Sequence, residues 1–385
     1  MKRVFLIVLD SVGAGALPDW ADYDETPGHT LENVAKAVGG LSMPNCEKLG
    51  LGNILSLVGV PPAKIPLASY GKAPLTTKGK DTTAGHWEIM GIVLEKPFPV
   101  FPEGFPVDLI AALEESFGIG ILCNKPYSGT KVIEDYGEEH IATGKPIVYT
   151  SADSVLQIAC HDAVYSADEL YDMCEKARAL CVGEYAVGRV IARPFTGEPY
   201  AFTRTKYRRD FSLLPPKPNY LTALTDRHVF TCGIGKIGDI FNMQGIQQTY
   251  PVKGNELCLK EIVTLMQEDN EGFFFGNLVD FDMLYGHRND PQGYAKALEH
   301  FDRSLSRILP LVHADDLLLI TADHGNDPTT VSGDHNREYV PVLMYAPGLP
   351  GNDLGILHTM SDIGATAYYA LTGEDAPEIN GKNVL

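Results

Sequence analysis

The chain has 385 residues, too many for one ordinary core, and its 44% hydrophobic and 21% charged residues describe a globular protein, not a disordered one. A formal net charge of −19 excludes the basic surface that a general nucleic-acid binder needs. An acidic chain can still take up an anion, but only where metals or clustered arginines concentrate positive charge.

In chain order, the first signal is Val4–Leu9 (VFLIVL), a continuous apolar run of the kind that forms a parallel strand covered on both faces. It is too short for a signal peptide and ends on Asp10 without a small-residue cleavage site. No run in the sequence is long enough to span a bilayer. The seven cysteines are odd in number and include no C-x-x-C pair, which fits small buried hydrophobes in a reduced, cytoplasmic protein.

Residues 79–91 read GKDTTAGHWEIMG. Two hydroxyls, Thr82 and Thr83, stand in a glycine-flanked segment poised to begin a helix, where free backbone N–H groups favour phosphate. An unassisted threonine is a poor nucleophile, and metal coordination is one way to activate it. A simple helix-capping threonine is the equal alternative at this point.

From about residue 96 to 216 the character changes. Proline-rich margins (KPFPVFPEGFP and LLPPKP) enclose a capping-box helix, Ser166–Cys181 with Ser166 and Glu169, and several shorter runs. Residues 96–216 therefore read as an inserted domain, and 1–95 with 217–385 as one discontinuous core. Arg189, Arg193, Arg204, Lys206, Arg208 and Arg209 fall within twenty-one residues of the insert. Such a run is ordinarily a solvated face, but its contrast with an acidic chain favours an anion-binding role for some of them.

Beyond the insert, His228–Cys232 is a candidate strand, and Gly-Ile-Gly-Lys236 is a glycine-rich turn with weak phosphate-binding character. Phe273–Val279 and Leu317–Thr321 are further apolar strands, separated by an amphipathic helix over Asp290–Leu309 that starts at Pro291. Strands alternating with helices predict an α/β core with a mostly parallel sheet. The strong strands run into Asp10, into Asp280, Asp282 and His287, and into Asp323 and His324. Ligands in open α/β sheets gather at the carboxyl ends of strands, so these side chains should meet at one edge. One aspartate there would be an ordinary turn residue or helix cap. The tract from Thr321 to His335 holds three aspartates and two histidines in fifteen residues, a mixture that suits a metal better than a turn, with Mn or Zn as the matching ions.

With these residues in place the chain resembles the phosphopentomutases, a branch of the alkaline phosphatase superfamily. The resemblance runs nearly end to end and is most specific in LDSVGAG (9–15), GKDTTAGHWEIMG (79–91), YTSADSVLQIA (149–159), GRVIARPF (188–195), NLVDFDMLYGHRNDPQGY (277–294) and TADHGNDPTTVSGDHNREYVP (321–341). It implies an alkaline-phosphatase-like α/β core interrupted by an inserted α/β cap. It implies one metal held by Asp282, His287 and His335 and another by Asp10, Asp323 and His324. Two Mn2+ are expected, with Mg2+, Zn2+ or Co2+ as alternatives; among three aspartates they leave a net charge of about +1, which attracts phosphate. Thr82 matches the phosphorylated nucleophile, with Thr83 as its rival, and Ser151, Asp153, Arg189, Arg204 and Lys236 match positions that handle the pentose phosphate.

The activity implied is interconversion of ribose 1-phosphate, or 2-deoxyribose 1-phosphate, with the 5-phosphate. A phosphothreonine would carry the phosphoryl group, and a sugar bisphosphate would act as activator. A phosphatase or phosphodiesterase of the same superfamily and a non-catalytic metal-binding module are the competing readings. The related cofactor-independent phosphoglycerate mutases are expected to use serine. The expected partner is a small sugar phosphate, with neither nucleic acid nor membrane, in a protein whose oligomeric state is open and compatible with a monomer.

Overall fold

The structure, a computed structural model, describes residues 1–24, 26–151 and 153–385. The chain divides into two compact units: Met1–Lys96 with Pro215–Leu385, and Pro97–Leu214. Its strands are β1 (Arg3–Leu9), β2 (Ser69–Pro74), β3 (Leu122–Pro126), β4 (Ile147–Thr150), β5 (Val155–His161), β6 (Arg189–Thr196) and β7 (Thr203–Arg204). They continue as β8 (Arg209–Ser212), β9 (Thr231–Ile234), β10 (Gln248–Tyr250), β11 (Gly272–Leu278), β12 (Asp316–Thr321), β13 (Tyr339–Tyr345) and β14 (Asp353–Ile356).

The first unit is built on an eight-stranded sheet in the order β10-β9-β11-β1-β12-β13-β2-β14. The run from β10 to β12 is parallel, and β13 is antiparallel to both β12 and β2. β1, β11 and β12 are buried at every position, which explains why they read as unbroken apolar runs. Their register is pinned at the start. Arg3 lies opposite Asp316, and its Nε and Nη2 donate to the two carboxylate oxygens at 2.9 and 2.6 Å. A slip of one residue would turn every side chain to the wrong face. The helix Pro291–Ile308 begins as expected, with the Asp290 carboxylate accepting from Gly293 N.

β9 starts later than the sequence suggests, at Thr231 instead of His228. The preceding helix, Tyr220–Asp226, accounts for the delay. His228 adopts φ +60°, and Val229 N donates back to Leu224 O, so these residues finish the helix before the strand can begin.

The second unit is a six-stranded sheet in which β3-β4-β5-β6-β7 follow one another and β8 also pairs with β6. One face packs Val148, Leu156, Ile158, Val190 and Ala192 under the helices Val107–Phe117 and Ala167–Leu180. The capping box on the second of these is present, formed by Ser166 and Glu169. On the other face Tyr149, Ala159 and Phe195 pack with Val132 and Ile133 of the helix Lys131–Thr143. The fold is therefore α/β, with a mostly parallel sheet in the first unit and a mixed sheet in the second. No helix among the described residues is long and apolar enough to cross a membrane.

Candidate metal centre and nucleophile

The strand register delivers the acidic residues to one edge. Leu9 is aligned with Leu278, and Val8 with Thr321, so β1, β11 and β12 end level. Asp10 leaves β1 directly and Asp323 follows β12 by two residues. Asp282 arrives from a short π-helical turn, Phe281–Gly286, that follows β11. The neighbouring candidate Asp280 goes elsewhere: its carboxylate accepts from Asn255 N at 2.8 Å, while Asn255 Oδ1 accepts from Asp280 N. Asp327 and Asp334 are also diverted, the first to Asn33 Nδ2 and His29 N, the second to Lys80.

Two overlapping groups result, Asp10–Asp323–His324 and Asp282–His324–His335, each with its ligand atoms within 4.8 Å of one another. His335 Nε2 lies 3.1 Å from Asp282 Oδ1, and His324 Nε2 lies 3.3 Å from Asp323 Oδ2 and 3.5 Å from Asp10 Oδ1. His287 sits at the rim, its Nε2 3.2 Å from Asp282 Oδ2. Each ring is held by its other nitrogen. Nδ1–H donates to a backbone carbonyl in all three: Gly333 for His287, Gly325 for His324 and Lys80 for His335. When the ring is neutral, that tautomer turns each Nε2 lone pair toward the carboxylates, the arrangement of a metal ligand.

The electrostatics agree. Burial pushes Asp10 up to about 8, with Asp323 and Asp282 adding like-charge repulsion. Burial likewise pulls His324 down to about 4. Burial would lower His335 too, but Asp282, Asp334 and Asp10 carry it up to about 9. For Asp282 burial works in the opposite direction, and His335 and His287 outweigh it, holding the carboxyl well below its usual range. The histidines thus hold Asp282 and Asp323 ionised, whereas Asp10 lacks a compensating positive charge. Asp10 Oδ1, Asp323 Oδ2 and His335 Nε2 are buried without a hydrogen-bond partner among the described residues. Orphaned atoms of this kind fit the coordination sphere of a divalent ion.

Thr82 opens the helix Thr82–Ile89, whose N-cap is Asp81 accepting from Ala84 N at 3.1 Å. Its Oγ1 lies 3.2 Å from His324 Nε2. Thr83 shows no contact with the acidic cluster among the described residues. Lys236 follows β9 and is near enough for its charge to lower Asp10. The remaining expected residues belong to the second unit. Ser151 is half-buried and Asp153 exposed, Arg189 pairs with Asp210 at 3.5 Å, and Arg204 Nε donates to Gly129 O at 3.3 Å.

Two neighbours of the cluster escaped the sequence reading. His86 is fully buried; its Nδ1 donates to Thr82 O at 2.9 Å and lies 3.0 Å from Asp323 Oδ2. Burial lowers its pKa, but Asp323 and Asp10 more than offset this and raise it. Asn277 Nδ2 donates to Asp10 Oδ2 at 2.9 Å and meets His86 Nε2 at 3.0 Å. The spacing of His86 from Thr82, one helical turn, was the available signal; Asn277 sits inside an apolar strand and gave none.

A family model described as the Metalloenzyme superfamily matches residues 2–374. Fold, acidic cluster and family match together define a metal-dependent enzyme of the alkaline phosphatase type. The phosphopentomutase of Dictyoglomus turgidum is 53% identical over 95% of this chain and 93% of its own length. That of Carboxydothermus hydrogenoformans is 54% identical over 95% of each. That of Desulfitobacterium hafniense (strain Y51) is 47% identical over 100% of this chain and 99% of its own. The chain belongs to the phosphopentomutase family and is an enzyme of the mutase class. Among solved structures, the PH0037 protein from Pyrococcus horikoshii shares the fold, with a TM-score of 0.52 at 16% identity, over 97% of this chain and 98% of that one.

Proposed function

We propose that the enzyme interconverts ribose 1-phosphate, or 2-deoxyribose 1-phosphate, with the 5-phosphate by way of a phosphoryl group carried on Thr82. The observation that carries this reading is the Thr82 hydroxyl, set at a helix start 3.2 Å from His324 Nε2 beside the buried carboxylates. Two divalent ions, one held by Asp282, His287 and His335 and the other by Asp10, Asp323 and His324, would supply Lewis acidity to the phosphoryl oxygens and lower the pKa of the threonine hydroxyl. The mixture of carboxylate and imidazole favours Mn2+ over Mg2+, with Zn2+ or Co2+ as alternatives.

Thr82 begins each cycle phosphorylated. The free hydroxyl of the bound sugar phosphate attacks phosphorus; the P–Oγ1 bond breaks as the new P–O bond forms, and a bisphosphate results. The sugar then presents its other phosphate, Thr82 Oγ1 takes it back, and the isomer leaves. Ser151, Asp153, Arg189, Arg204 and Lys236 are the proposed sugar-phosphate contacts. The second unit serves as a cap that keeps water from the phosphothreonine, since water there would give hydrolysis instead of transfer. Seven unpaired cysteines support a cytoplasmic location.

A coupled assay on ribose 1-phosphate tests the reading. Chelation should abolish turnover, and Mn2+ should restore it better than Mg2+. Full activity after verified metal removal would overturn the metal-dependent mechanism.

A further inference from the structure

Ser11, the residue after Asp10, is fully buried and has φ +72°. Among the described residues it is the only non-glycine residue that is both buried and left-handed. It stands third in the turn that leaves β1, where Val12 N donates to Leu9 O at 3.0 Å. A positive φ at that position calls for glycine, and a residue with a side chain is strained there. Such strain persists only where the surroundings over-determine it, and the contacts of Ser11 do so.

The backbone groups of Ser11 are committed to different parts of the ligand cluster. Ser11 N donates to Asp323 Oδ1 at 3.0 Å, which leaves the buried Oδ2 to face a ligand. Ser11 O accepts from Asn326 N at 3.1 Å, and the Asn326 side chain donates onward to Asp282 Oδ1 at 2.9 Å. Gly286 makes room for that reach, since a Cβ there would stand 2.7 Å from Asn326 Cγ and Nδ2. Asp323 and Asp282 are assigned to different ions, so one left-handed residue supports both ligand sets.

Tyr294, on the helix Pro291–Ile308, holds that residue in place. It is fully buried, and its hydroxyl donates to Ser11 O at 2.9 Å while lying 3.1 Å from Ser11 Oγ. With its one proton given to the carbonyl, the phenol oxygen accepts from the serine hydroxyl, and both groups are satisfied. Burial pushes the phenol well above its usual range, so the proton stays on the oxygen. Glycine would suit the turn but could not make the hydroxyl bond, which gives serine a physical reason to stand there.

We propose that Ser11, held left-handed by Tyr294, is a positioning residue shared by both metal sites, with Asn326 carrying its support to Asp282 alone. The proposal rests on the two-ion reading above. It adds Ser11, Tyr294 and Asn326 to the residues on which metal affinity depends, although none of them is assigned as a ligand.

The test uses the full chain as wild type, Tyr294→Phe, Ser11→Ala and Asn326→Ala, with Tyr165→Phe as control. Tyr165 donates to Gly144 O at 2.7 Å in the second unit, so the control loses the same kind of bond away from the cluster. Metal-free protein is titrated with Mn2+ and its Tm recorded, and kcat and KM for ribose 1-phosphate are measured at limiting and at saturating Mn2+. Loss of a group that orients a ligand corresponds to about 10–100-fold in metal affinity. Tyr294→Phe and Ser11→Ala should raise the Kd of both ions by about that factor, whereas Asn326→Ala should raise only one. Saturating Mn2+ should restore kcat in Tyr294→Phe with the KM for the sugar phosphate unchanged, and Tyr165→Phe should titrate as the wild type does. A purely structural bond gives a different pattern, a lower Tm of the metal-free protein with both affinities intact. That pattern in Tyr294→Phe and Ser11→Ala overturns the proposal, as does weakening of a single ion in both. If the wild type still binds two ions, the two-ion reading survives either result; fewer than two ions on the wild type sinks that reading and the shared support with it.

Discussion

At the residue scale, the site depends on which atom each side chain has left to offer. Thr82 and Thr83 are chemically identical, and only Thr82 places its oxygen 3.2 Å from His324 Nε2. Thr82→Val keeps the shape and deletes the hydroxyl. It should abolish mutase turnover while metal content stays at the wild-type level, and intact-protein mass spectrometry should find no added phosphate. Thr83→Val should remain phosphorylatable; the reverse pattern would show that the wrong threonine has been assigned. Asn277 acts one layer further out. Its amide donates to Asp10 and meets His86, so Asn277→Leu should leave Asp10 poorly held. A loss of metal affinity of about 10–100-fold is expected from removing such a support, measured by metal titration of the purified variant.

At the element scale, the loop leading to Thr82 is clamped from both sides. Glu88, buried in the Thr82 helix, accepts from Thr76 N, Thr76 Oγ1, Thr359 Oγ1 and Met360 N through Oε1, and from Thr77 N at 2.6 Å through Oε2. From the other side Arg337 donates to Thr77 O and Gly79 O at 2.7 and 2.8 Å. Glu88→Gln sets an amide N–H2 against donors whichever way it turns. It should destabilise the protein by about 1–3 kcal/mol, the cost of an unsatisfied buried donor. Urea unfolding followed by the fluorescence of Trp87, which is buried in the same helix, measures the loss directly. None of this was legible beforehand, because Glu88 reads as an ordinary helical glutamate until the chain is folded around it. The three strong strands were legible, since burial on both faces leaves an unbroken apolar run in the sequence. So was the edge where Asp10 and Asp323 emerge, because parallel strands in register must end together. Which of Asp280 and Asp282 turns inward was not, because Asn255, at the start of the helix Asn255–Met266, captures Asp280 from twenty-five residues away. His228 misled for a related reason: a helix cap and a strand start look alike in a short apolar stretch.

At the scale of the whole molecule, a chain of net charge −19 needs local positive charge to take up an anionic substrate, and the proposed mechanism draws on two sources of it. One is the ligand cluster of the first unit, where Asp10 lacks a compensating charge and divalent ions would supply it; the other is the pair Arg189 and Arg204 proposed as sugar-phosphate contacts. Under the proposed mechanism the same metal centre could serve a phosphatase, so the distinction rests on what reaches a phosphorylated Thr82. If the sugar hydroxyl is the acceptor, phosphate passes from sugar to enzyme and back without entering solvent. A bisphosphate that escapes mid-cycle then leaves an empty, idle enzyme, and a catalytic trace of sugar bisphosphate should remove the resulting lag. Labelled phosphoenzyme mixed with unlabelled ribose 5-phosphate should transfer its label to sugar phosphate, with little free inorganic phosphate. Water attack at the same centre would send the label into inorganic phosphate as fast as the enzyme turns over. That outcome would make the chain a hydrolase in spite of an intact metal site, because exclusion of water, not metal binding, is what separates the two activities.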